Sequence, residues 1–582
     1  MLEHAREPKV AAYDFHAGSD THAYDFFGVH RQGDGQYIFR VYAPHAMSVT
    51  LCGDFLKSGS CAMQQTDPRG EWTILVESEI PPEGMPYTFR TEDGHCYADP
   101  YAKSGLLCGG FRSLICTEQT YQWQDGAWMR SRGERMHRAC PVNLYEVHLS
   151  SFATRQGRSC VSDGAYLNYR ELGDLLARYA VDMGYTHVRL MPLTEYSRED
   201  THGYMPEGYF APTSRHGSPD DLRAMIDQLH SVGIGVVMDL PLGACGGDLL
   251  GVAHGGIFDM VHAETQSFLL SAVLFWLREF HLDGLSPLGL AFWPDEIRGE
   301  FGRRMTAAMR NRFPDVLWIV EDKAGKDGEY GLNLIEHGRF GNDLIRFLGA
   351  EPSHRPYLRD RLLLTLREAT EFGQHTLVSL SHRAVCGECG SLFHGMHGGY
   401  IQKFDGVRLA LAYQMAHPGK KQLFMGCELG QLRPWDGTVP PDWFLRELTI
   451  HAQLCYYVRA LNLFYRSESR LWEHEQAELL DSSDTVIAWK RTDRRGRALW
   501  AVFHMSAEEE QIALRVGEKV RALRVLFRSD TPIGEGTEQD KEISVSTDGW
   551  VCLTLPPLAA IFWEPTVTEE ERVFSFILPP RQ

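Results

Sequence analysis

The feature that most constrains this chain is a sustained alternation of strand-like and helical runs between residues 140 and 468. Strand candidates such as "VNLYEVHLSSF", "YTHVRLMPL" and "IGVVMDLPL" are separated by helix candidates such as "YRELGDLLARYAVDMG" and "DDLRAMIDQLHSVG". Strands joined by helices pair in parallel, and the number of repeats fits a (β/α)₈ TIM barrel. Reactive side chains in such barrels lie at the carboxyl ends of the strands, so we look for a site there.

All-β segments flank the predicted barrel. Short alternating runs such as "QYIFRVYAP" and "EWTILVES" predict an N-terminal β-sandwich over residues 21–110. Runs such as "TVIAWKR" and "ALWAVFHM" predict a C-terminal all-β domain (a second β-sandwich) over 469–566. A loose leader (1–20), a linker (111–139) and a tail (567–582) complete the division. The predicted fold class is therefore multidomain α/β.

Charge and cysteine content narrow the range of partners and compartments. With 58 basic and 77 acidic residues, the net charge of -19 would repel phosphate backbones, so we expect no nucleic-acid partner. The longest apolar run, Phe268 to Leu277, is too short to cross a bilayer and predicts a buried helix. The start "MLEHAREPKV" does not have the pattern of a signal peptide. Thirteen scattered cysteines favour reduced thiols and a cytoplasmic location.

Long collinear stretches resemble one enzyme family. They include "FRVYAPHAMSV" and "YADPYA" near the N-terminus, "GYTHVRLMPLTEY", "GYFAPTSRHGSPDDLRAMID" and "FMGCELGQ" in the barrel, and "LPPLAAIFWEP" near the C-terminus. From Phe26 to Glu564 the chain resembles the glycogen (1,4-α-glucan) branching enzymes of the α-amylase superfamily. The resemblance implies an N-terminal module similar to starch-binding modules. It also implies transfer of α-1,4-linked glucan chains to form α-1,6 branches, with no cofactor.

The resemblance also assigns three catalytic positions. Retaining glycosyl transfer needs a nucleophilic carboxylate and an acid/base carboxyl group, and the family adds a third carboxylate. Glu321 stands at the acid/base position. Leu288 stands at the nucleophile position, and Arg383 replaces the third carboxylate.

Other positions of the family's site are only partly kept. Ser286 replaces the family's arginine beside the nucleophile, Ala244 replaces one of its two histidines, and Ala384 replaces a glutamate. The retained residues, which the resemblance assigns to sugar contact, are Tyr204, Asp239 and His382. For Asp239 and His382 we favour structural hydrogen bonding at the barrel mouth over sugar contact.

These replacements predict a defective active site. A leucine cannot form the covalent glycosyl intermediate. Loss of a nucleophile alone lowers the rate by about 10⁴–10⁶-fold in well-studied enzymes. We also expect Glu321 and Arg383 to form an ion pair, which would favour ionised Glu321 over the acid that catalysis needs.

The leading hypothesis is an inactive pseudoenzyme that binds glycogen or another α-glucan and has other glycogen-metabolism enzymes as candidate partners. The alternative is an active branching enzyme or weak hydrolase that uses a relocated carboxylate. Asp283 and Asp322 should face away from the site because side chains alternate along a strand. Asp295 and Glu296 follow the fourth barrel strand and could fold back.

Two further patterns leave alternatives open. A zinc site is conceivable in "CGECGSLFHGMHGG", although ordinary loop thiols are the default and we assign no metal. Its candidate ligands are Cys386, Cys389, His394 and His397. Aromatic residues of the N-terminal module could stack on glucan, although most aromatics in a sandwich belong to the core. These residues are Tyr37, Tyr42, Phe55, Trp72 and Tyr87.

Overall fold

A β-sandwich module, a closed barrel and a C-terminal β domain follow one another along the chain, which confirms the predicted fold class. The structure is a computed structural model. It describes residues 8–78, 81–135, 140–159, 164–321, 334–372, 376–386, 390–473, 476–517, 519–530 and 542–567. Among the helices in these ranges, none has the length and apolar character needed to span a membrane.

The N-terminal module consists of two antiparallel sheets. Its strands are β1 (Gly28–Gly33), β2 (Gln36–Tyr42), β3 (Val49–Cys52), β4 (Ser60–Ala62), β5 (Gln64–Asp67), β6 (Glu71–Glu77), β7 (Pro86–Thr91), β8 (Cys96–Tyr97), β9 (Gly105–Leu107) and β10 (Phe111–Leu114). The sheet orders are β1-β2-β6-β5 and β4-β3-β7-β10-β9, and β8 pairs with β7. Strand β10 lies in the range predicted as a linker, but it pairs with β7 and β9 and its Phe111 is buried.

Two helices lie outside the predicted domains. The expected loose leader is instead helical over α1 (Pro8–His16), because its Phe15 is fully buried in the main hydrophobic core. Helix α2 (Gly126–Arg135) occupies the predicted linker and contacts the barrel, since Trp128 Nε1 donates a hydrogen bond to Asp283 Oδ1 at 2.8 Å.

The barrel is closed by eight parallel strands. They are β11 (Asn143–Val147), β12 (His187–Leu190), β15 (Gly235–Pro241), β18 (Gly284–Leu288), β19 (Leu317–Glu321), β20 (Leu334–Glu336), β21 (Thr376–Leu380) and β22 (Lys420–Phe424). Two short hairpins lie in the loops, β13 (Thr194–Glu195) with β14 (Gly208–Pro212) and β16 (Ala253–His254) with β17 (Ile257–Phe258). The sequence did not suggest β20, which has only three residues.

Helices connect and surround the barrel strands. They are α3 (Leu149–Phe152), α4 (Tyr169–Asp182), α5 (Pro219–Ser231), α6 (Ala263–Glu279), α7 (Asp295–Arg312), α8 (Phe340–Gly349), α9 (Arg355–Phe372), α10 (His382–Val385), α11 (Tyr400–Ala416) and α12 (Thr449–Ser467). Capping boxes start α4 at Asn168 and α5 at Ser218, where each side chain accepts a hydrogen bond from a first-turn amide. The apolar run Phe268 to Leu277 lies in α6 and is buried, as predicted.

The C-terminal domain is entirely β. Its strands are β23 (Ala477–Ser482), β24 (Val486–Thr492), β25 (Ala498–His504), β26 (Glu510–Arg515), β27 (Val520–Arg528), β28 (Glu542–Ser544), β29 (Trp550–Leu555) and β30 (Ala560–Val567). A sheet in the order β23-β24-β25-β30-β27-β28 packs with the two-stranded sheet β26-β29 around a separate core. Trp489 of β24 packs back onto the barrel, where its Nε1 donates to the Ala416 carbonyl at 3.2 Å.

Candidate active site

The fourth barrel strand, β18, ends in an apolar side chain at the position where the family resemblance places the nucleophile. Leu288 is its last residue and is only 4% exposed. The backbone of Leu288 is fixed against the neighbouring strand, because its carbonyl accepts a hydrogen bond from the Leu242 amide at 2.9 Å. The chain then turns at Gly289, whose φ of 79° suits a glycine.

An ion pair joins the ends of the fifth and seventh strands. Glu321 is the last residue of β19, and Arg383 lies on α10 just after β21. Arg383 Nη1 donates a hydrogen bond to Glu321 Oε1, which confirms the predicted pairing. Burial lowers the pKa of Arg383, but the carboxylates of Glu321 and Glu336 help to raise it above its ordinary value, so Arg383 remains charged. The Gly289 amide lies 3.3 Å from the second Glu321 oxygen, Oε2.

The three residues assigned to sugar contact lie together at the barrel mouth. The Tyr204 hydroxyl donates to Asp239 Oδ2 at 3.0 Å, and the Tyr204 ring stacks on the His382 ring with centroids 5.7 Å apart. His382 Nδ1 lies 2.5 Å from Glu146 Oε1, and the His382 amide donates to the other Glu146 oxygen. Asp239 and His382 therefore already have protein partners, as structural hydrogen bonding predicts.

A buried arginine in the barrel interior was missed by the sequence reading. Arg189, on β12, is 3% exposed, and its Nε donates to Asp239 Oδ1 at 2.7 Å. Its Nη1 donates to Glu336 Oε2 at 2.9 Å and to Gln422 Oε1 at 2.7 Å, and its Nη2 donates to Ser286 Oγ at 3.0 Å. Burial lowers the pKa of Arg189, but the carboxylates of Asp239 and Glu336 raise it well above its ordinary value.

Arg189 therefore brings a guanidinium to Ser286, the position where the resemblance places an arginine. A charged residue inside the strand "HVRL" was the available signal, because a buried charge must be paired.

The alanines that replace a histidine and a glutamate of the family's site, Ala244 and Ala384, have structural contacts. The Ala244 carbonyl accepts a hydrogen bond from the Tyr209 hydroxyl, and buried Ala384 lies against Gly341.

The second residue that the sequence reading missed is a carboxylate beside Glu321. Glu336 ends β20 and is the register partner of Glu321 on the adjacent parallel strand, so the two side chains start from neighbouring positions. Both line a cavity of about 220 Å³ together with Asn342, Ser381 and Arg383. Carboxylate, guanidinium, hydroxyl and amide groups line the cavity together with apolar surface.

The other carboxylates considered as substitutes lie elsewhere. Asp283 is fully buried and faces away from the mouth, as predicted, because its oxygens bind Trp128 Nε1 and His230 Nε2. Asp295 and Glu296 are exposed at the start of α7, and Asp295 pairs with Arg298 of the same helix. They do not fold back onto Leu288. Asp322 lies outside the described residues.

Comparisons with known proteins place the whole chain in one family. It is 31% identical to the 1,4-alpha-glucan branching enzyme GlgB of Albidiferax ferrireducens over 95% of this chain and 98% of that protein. It is 32% identical to the GlgB of Aquifex aeolicus over 94% of this chain and 97% of that protein. The chain belongs to the 1,4-alpha-glucan branching enzyme family.

The N-terminal module and the overall architecture have matches of their own. Residues 26–102 match carbohydrate-binding module 48 (isoamylase N-terminal domain). A putative alpha amylase from Salmonella typhimurium superposes with a TM-score of 0.71 at 18% identity, covering 93% of this chain and 99% of that one. The catalytic module of the pneumococcal protein SpuA superposes with a TM-score of 0.73 at 14% identity, covering 97% and 99%. These two structures support the fold.

The five module aromatics considered for glucan stacking belong to hydrophobic cores or pack against one, as expected of most aromatics in a sandwich. In a two-layer sandwich, alternate residues of each strand point into the core. Tyr37, Tyr42, Trp72 and Tyr87 are buried, and Phe55 stacks on Phe39 with ring centroids 5.6 Å apart.

A groove of about 690 Å³ lies between the carbohydrate-binding module and the β16-β17 hairpin of the barrel. His45 and Tyr97 line it from the module, and Asp248, His254 and Ile257 line it from the barrel. This mixture of a partly exposed aromatic ring, imidazoles, a carboxylate and an apolar side chain offers both stacking and hydrogen bonding to a polar ring ligand.

The zinc hypothesis for the Cys/His loop stays a prediction, because Cys389 lies outside the described residues. Among those that the structure does describe, Cys386, His394 and His397 do not form a group of metal-ligand side chains. The one such group found in the described ranges lies at the N-terminal module, at His16, Asp67 and Glu71.

Proposed function

We propose that this protein is a glucan-binding member of the branching-enzyme family that does not catalyse glucan transfer. The observation that carries the proposal is the buried Leu288 at the end of β18, where the family resemblance places the nucleophile. An isobutyl side chain has no lone pair to attack an anomeric carbon. Loss of this group alone is expected to lower the rate by about 10⁴–10⁶-fold.

The state of Glu321 supports the same proposal. A general acid must carry a proton when the glycosidic bond breaks, which enzymes achieve by burial or by a neighbouring negative charge. Here the side chain hydrogen-bonded to Glu321 is the Arg383 guanidinium, a positive charge at the position where the family resemblance places the third carboxylate. The negative neighbour that the family's site supplies is therefore replaced by a positive one.

The charge rearrangement around Arg189 fits a long-accommodated loss. Removing one member of a buried ion pair leaves an uncompensated charge, whereas replacing both members can be neutral. The positions of the family's nucleophile and arginine hold Leu288 and Ser286, and Arg189 pairs with Asp239 and Glu336. These two carboxylates thus have a guanidinium partner although the arginine position of the family's site holds a serine.

Glucan binding is supported by the module match and by the groove beside it. The solved pullulanase SAP of GBS, which has the same fold with a TM-score of 0.71, was crystallised with maltotetraose. In this chain the groove lined by Tyr97 and His254 is the surface that we assign to an α-glucan. Glycogen-metabolism enzymes as partners and a cytoplasmic location remain predictions.

Two assays test the proposal. Purified protein incubated with amylose should leave iodine staining and branch content unchanged. Branch formation that disappears in Glu321→Gln would refute it. In co-sedimentation with glycogen we expect binding that weakens in Tyr97→Ala and His254→Ala. The control Tyr357→Ala, which removes an exposed ring on α9, should bind like wild type. Failure of the wild type to bind any α-glucan would refute the binding role.

A second candidate function, weak hydrolysis, is favoured by one observation. Glu336 and Glu321 start from neighbouring positions on parallel strands, and Glu336 is held by Arg189. Retaining hydrolysis needs two carboxyl groups about 5–5.5 Å apart. In this scheme Glu336 would attack the anomeric carbon and Glu321 would protonate the leaving oxygen. Release of reducing ends that is abolished in Glu336→Gln would support it.

A further inference from the structure

His16 lies where three parts of the molecule meet. It ends α1, and its side chain is 4% exposed between module strand β6 and barrel helix α6. Its Nδ1 lies 2.7 Å from Glu264 Oε1 of α6, and its Nε2 lies 3.0 Å from Glu71 Oε1 of β6. Both ring nitrogens thus face a carboxylate, and the gap between Nε2 and Glu71 holds either a proton or another cation.

A third ligand side chain faces the same gap. One ligand atom each from His16, Asp67 and Glu71 lies within 4.8 Å of the other two. Imidazole nitrogen and carboxylate oxygen are ligands that zinc and related divalent ions accept. The three residues come from α1, β5 and β6, so the packing of the helix on the module assembles the set.

Glu264 gives His16 the support that metal-binding histidines usually have. Such a histidine donates its other ring N–H to a carboxylate, which fixes the tautomer and the ring orientation. With Nδ1–H directed at Glu264, a neutral His16 directs the lone pair of Nε2 toward Glu71. Glu264, the third carboxylate of the cluster, thus orients His16 and is not itself a ligand.

The local charge favours a divalent cation over a proton. Among the described residues, one guanidinium contacts the carboxylates of Asp67, Glu71 and Glu264, that of Arg69, which binds both Asp67 oxygens at 2.9 Å. With a protonated His16 one negative charge remains in excess. A divalent ion beside a neutral imidazole balances it. Arg40 is more distant and donates to the Phe26 carbonyl instead.

We propose that His16 Nε2, Asp67 and Glu71 bind one divalent cation of the zinc type, with Glu264 holding the opposite nitrogen of His16. Water completes the coordination from the exposed side, where Asp67 is 22% and Arg69 50% exposed. The ion would tie α1 to the module and, through Glu264, to the barrel.

The experiment is titration of the full-length, chelator-treated protein with ZnCl₂, followed by calorimetry. Co²⁺ serves as a second probe through its visible absorption. We expect a single site per chain and a loss of affinity of about 10–100-fold in Glu264→Gln, the size typical of an outer partner. Asp67→Asn, a partly exposed change with little risk to folding, should weaken binding at least as much.

The control is His95→Gln, which removes an exposed histidine 4.0 Å from Asp93 in the same module. It should leave zinc affinity unchanged. Circular dichroism shows whether each variant is folded. The proposal is overturned if the wild type binds no zinc, or if Asp67→Asn and Glu71→Gln bind it as tightly as wild type. Either result would mean that a protonated His16 is the only cation in the gap.

Discussion

Replacing Arg189 with methionine should destabilise the barrel more than any surface charge change. Arg189 is 3% exposed and binds Asp239, Glu336, Gln422 and Ser286. Without it, the carboxylate of Asp239, which is 1% exposed, loses its guanidinium partner inside the barrel. Breaking a buried pair by removing one partner costs about 3–5 kcal/mol, because the remaining charge is not compensated.

A double-mutant cycle isolates the pair. Asp239→Asn alone leaves Arg189 bound to Glu336, so its cost should be smaller. In the double variant Arg189→Met/Asp239→Asn, the Asp239 charge that Arg189→Met leaves unpaired is absent. The loss of unfolding free energy should therefore be smaller than the sum of the two single losses by about 0.5–3 kcal/mol. Urea unfolding followed by tryptophan fluorescence measures each variant. The control Arg198→Met, at an exposed pair with Asp200, should cost at most about 1 kcal/mol.

The structural role of Arg189 is contradicted if the unfolding free energy of Arg189→Met stays within about 1 kcal/mol of wild type, which is the range of a surface pair. It also fails if the two substitutions are strictly additive. Either result would mean that the network at the carboxyl ends of the strands does not hold the interior together.

Two further predictions concern pH and catalytic repair. Burial lowers the pKa of His230, but Asp283 and Asp125 raise it to about 9. Because this folded-state value exceeds the ordinary 6.5, the stabilisation by the protonated ring is complete below pH 6.5 and is lost as pH rises through about 9. The unfolding midpoint should therefore fall over that window, and a midpoint that rises there would contradict the assignment. Leu288→Asp alone should give no branching in the iodine assay, because Arg383 still binds Glu321 and Arg189 still binds Ser286. Full activity from this single change would contradict the inference that these arginine contacts prevent catalysis.

The barrel could be predicted because its signal is local and repeated. Strands such as β15 are continuous apolar runs, and helices such as α5 begin at a recognisable cap. Strand β20 could not be predicted in the same way, since three residues are too few to establish a pattern. Its omission also hid Glu336, the carboxylate beside Glu321.

The site was predictable where a residue's role depends on its place at a strand end. Glu321 and Arg383 were expected to form an ion pair because each stands at the carboxyl end of a barrel strand, and they do. The Arg189 network could not be derived, because its partners lie on four other strands and are separated from it by 50 to 233 positions. Whether the module aromatics face the core or the solvent stayed open, because one strand pattern does not tell which face its partner sheet covers.

The most direct test of the central claim is mass spectrometry of the intact protein after incubation with a slow fluorosugar substrate. Such a substrate traps the glycosyl-enzyme intermediate of a retaining enzyme on its nucleophile. With Leu288 at the nucleophile position we expect the mass to stay unchanged. A gain of one glycosyl unit, located by peptide mapping on Glu336 or any other side chain, would contradict the account.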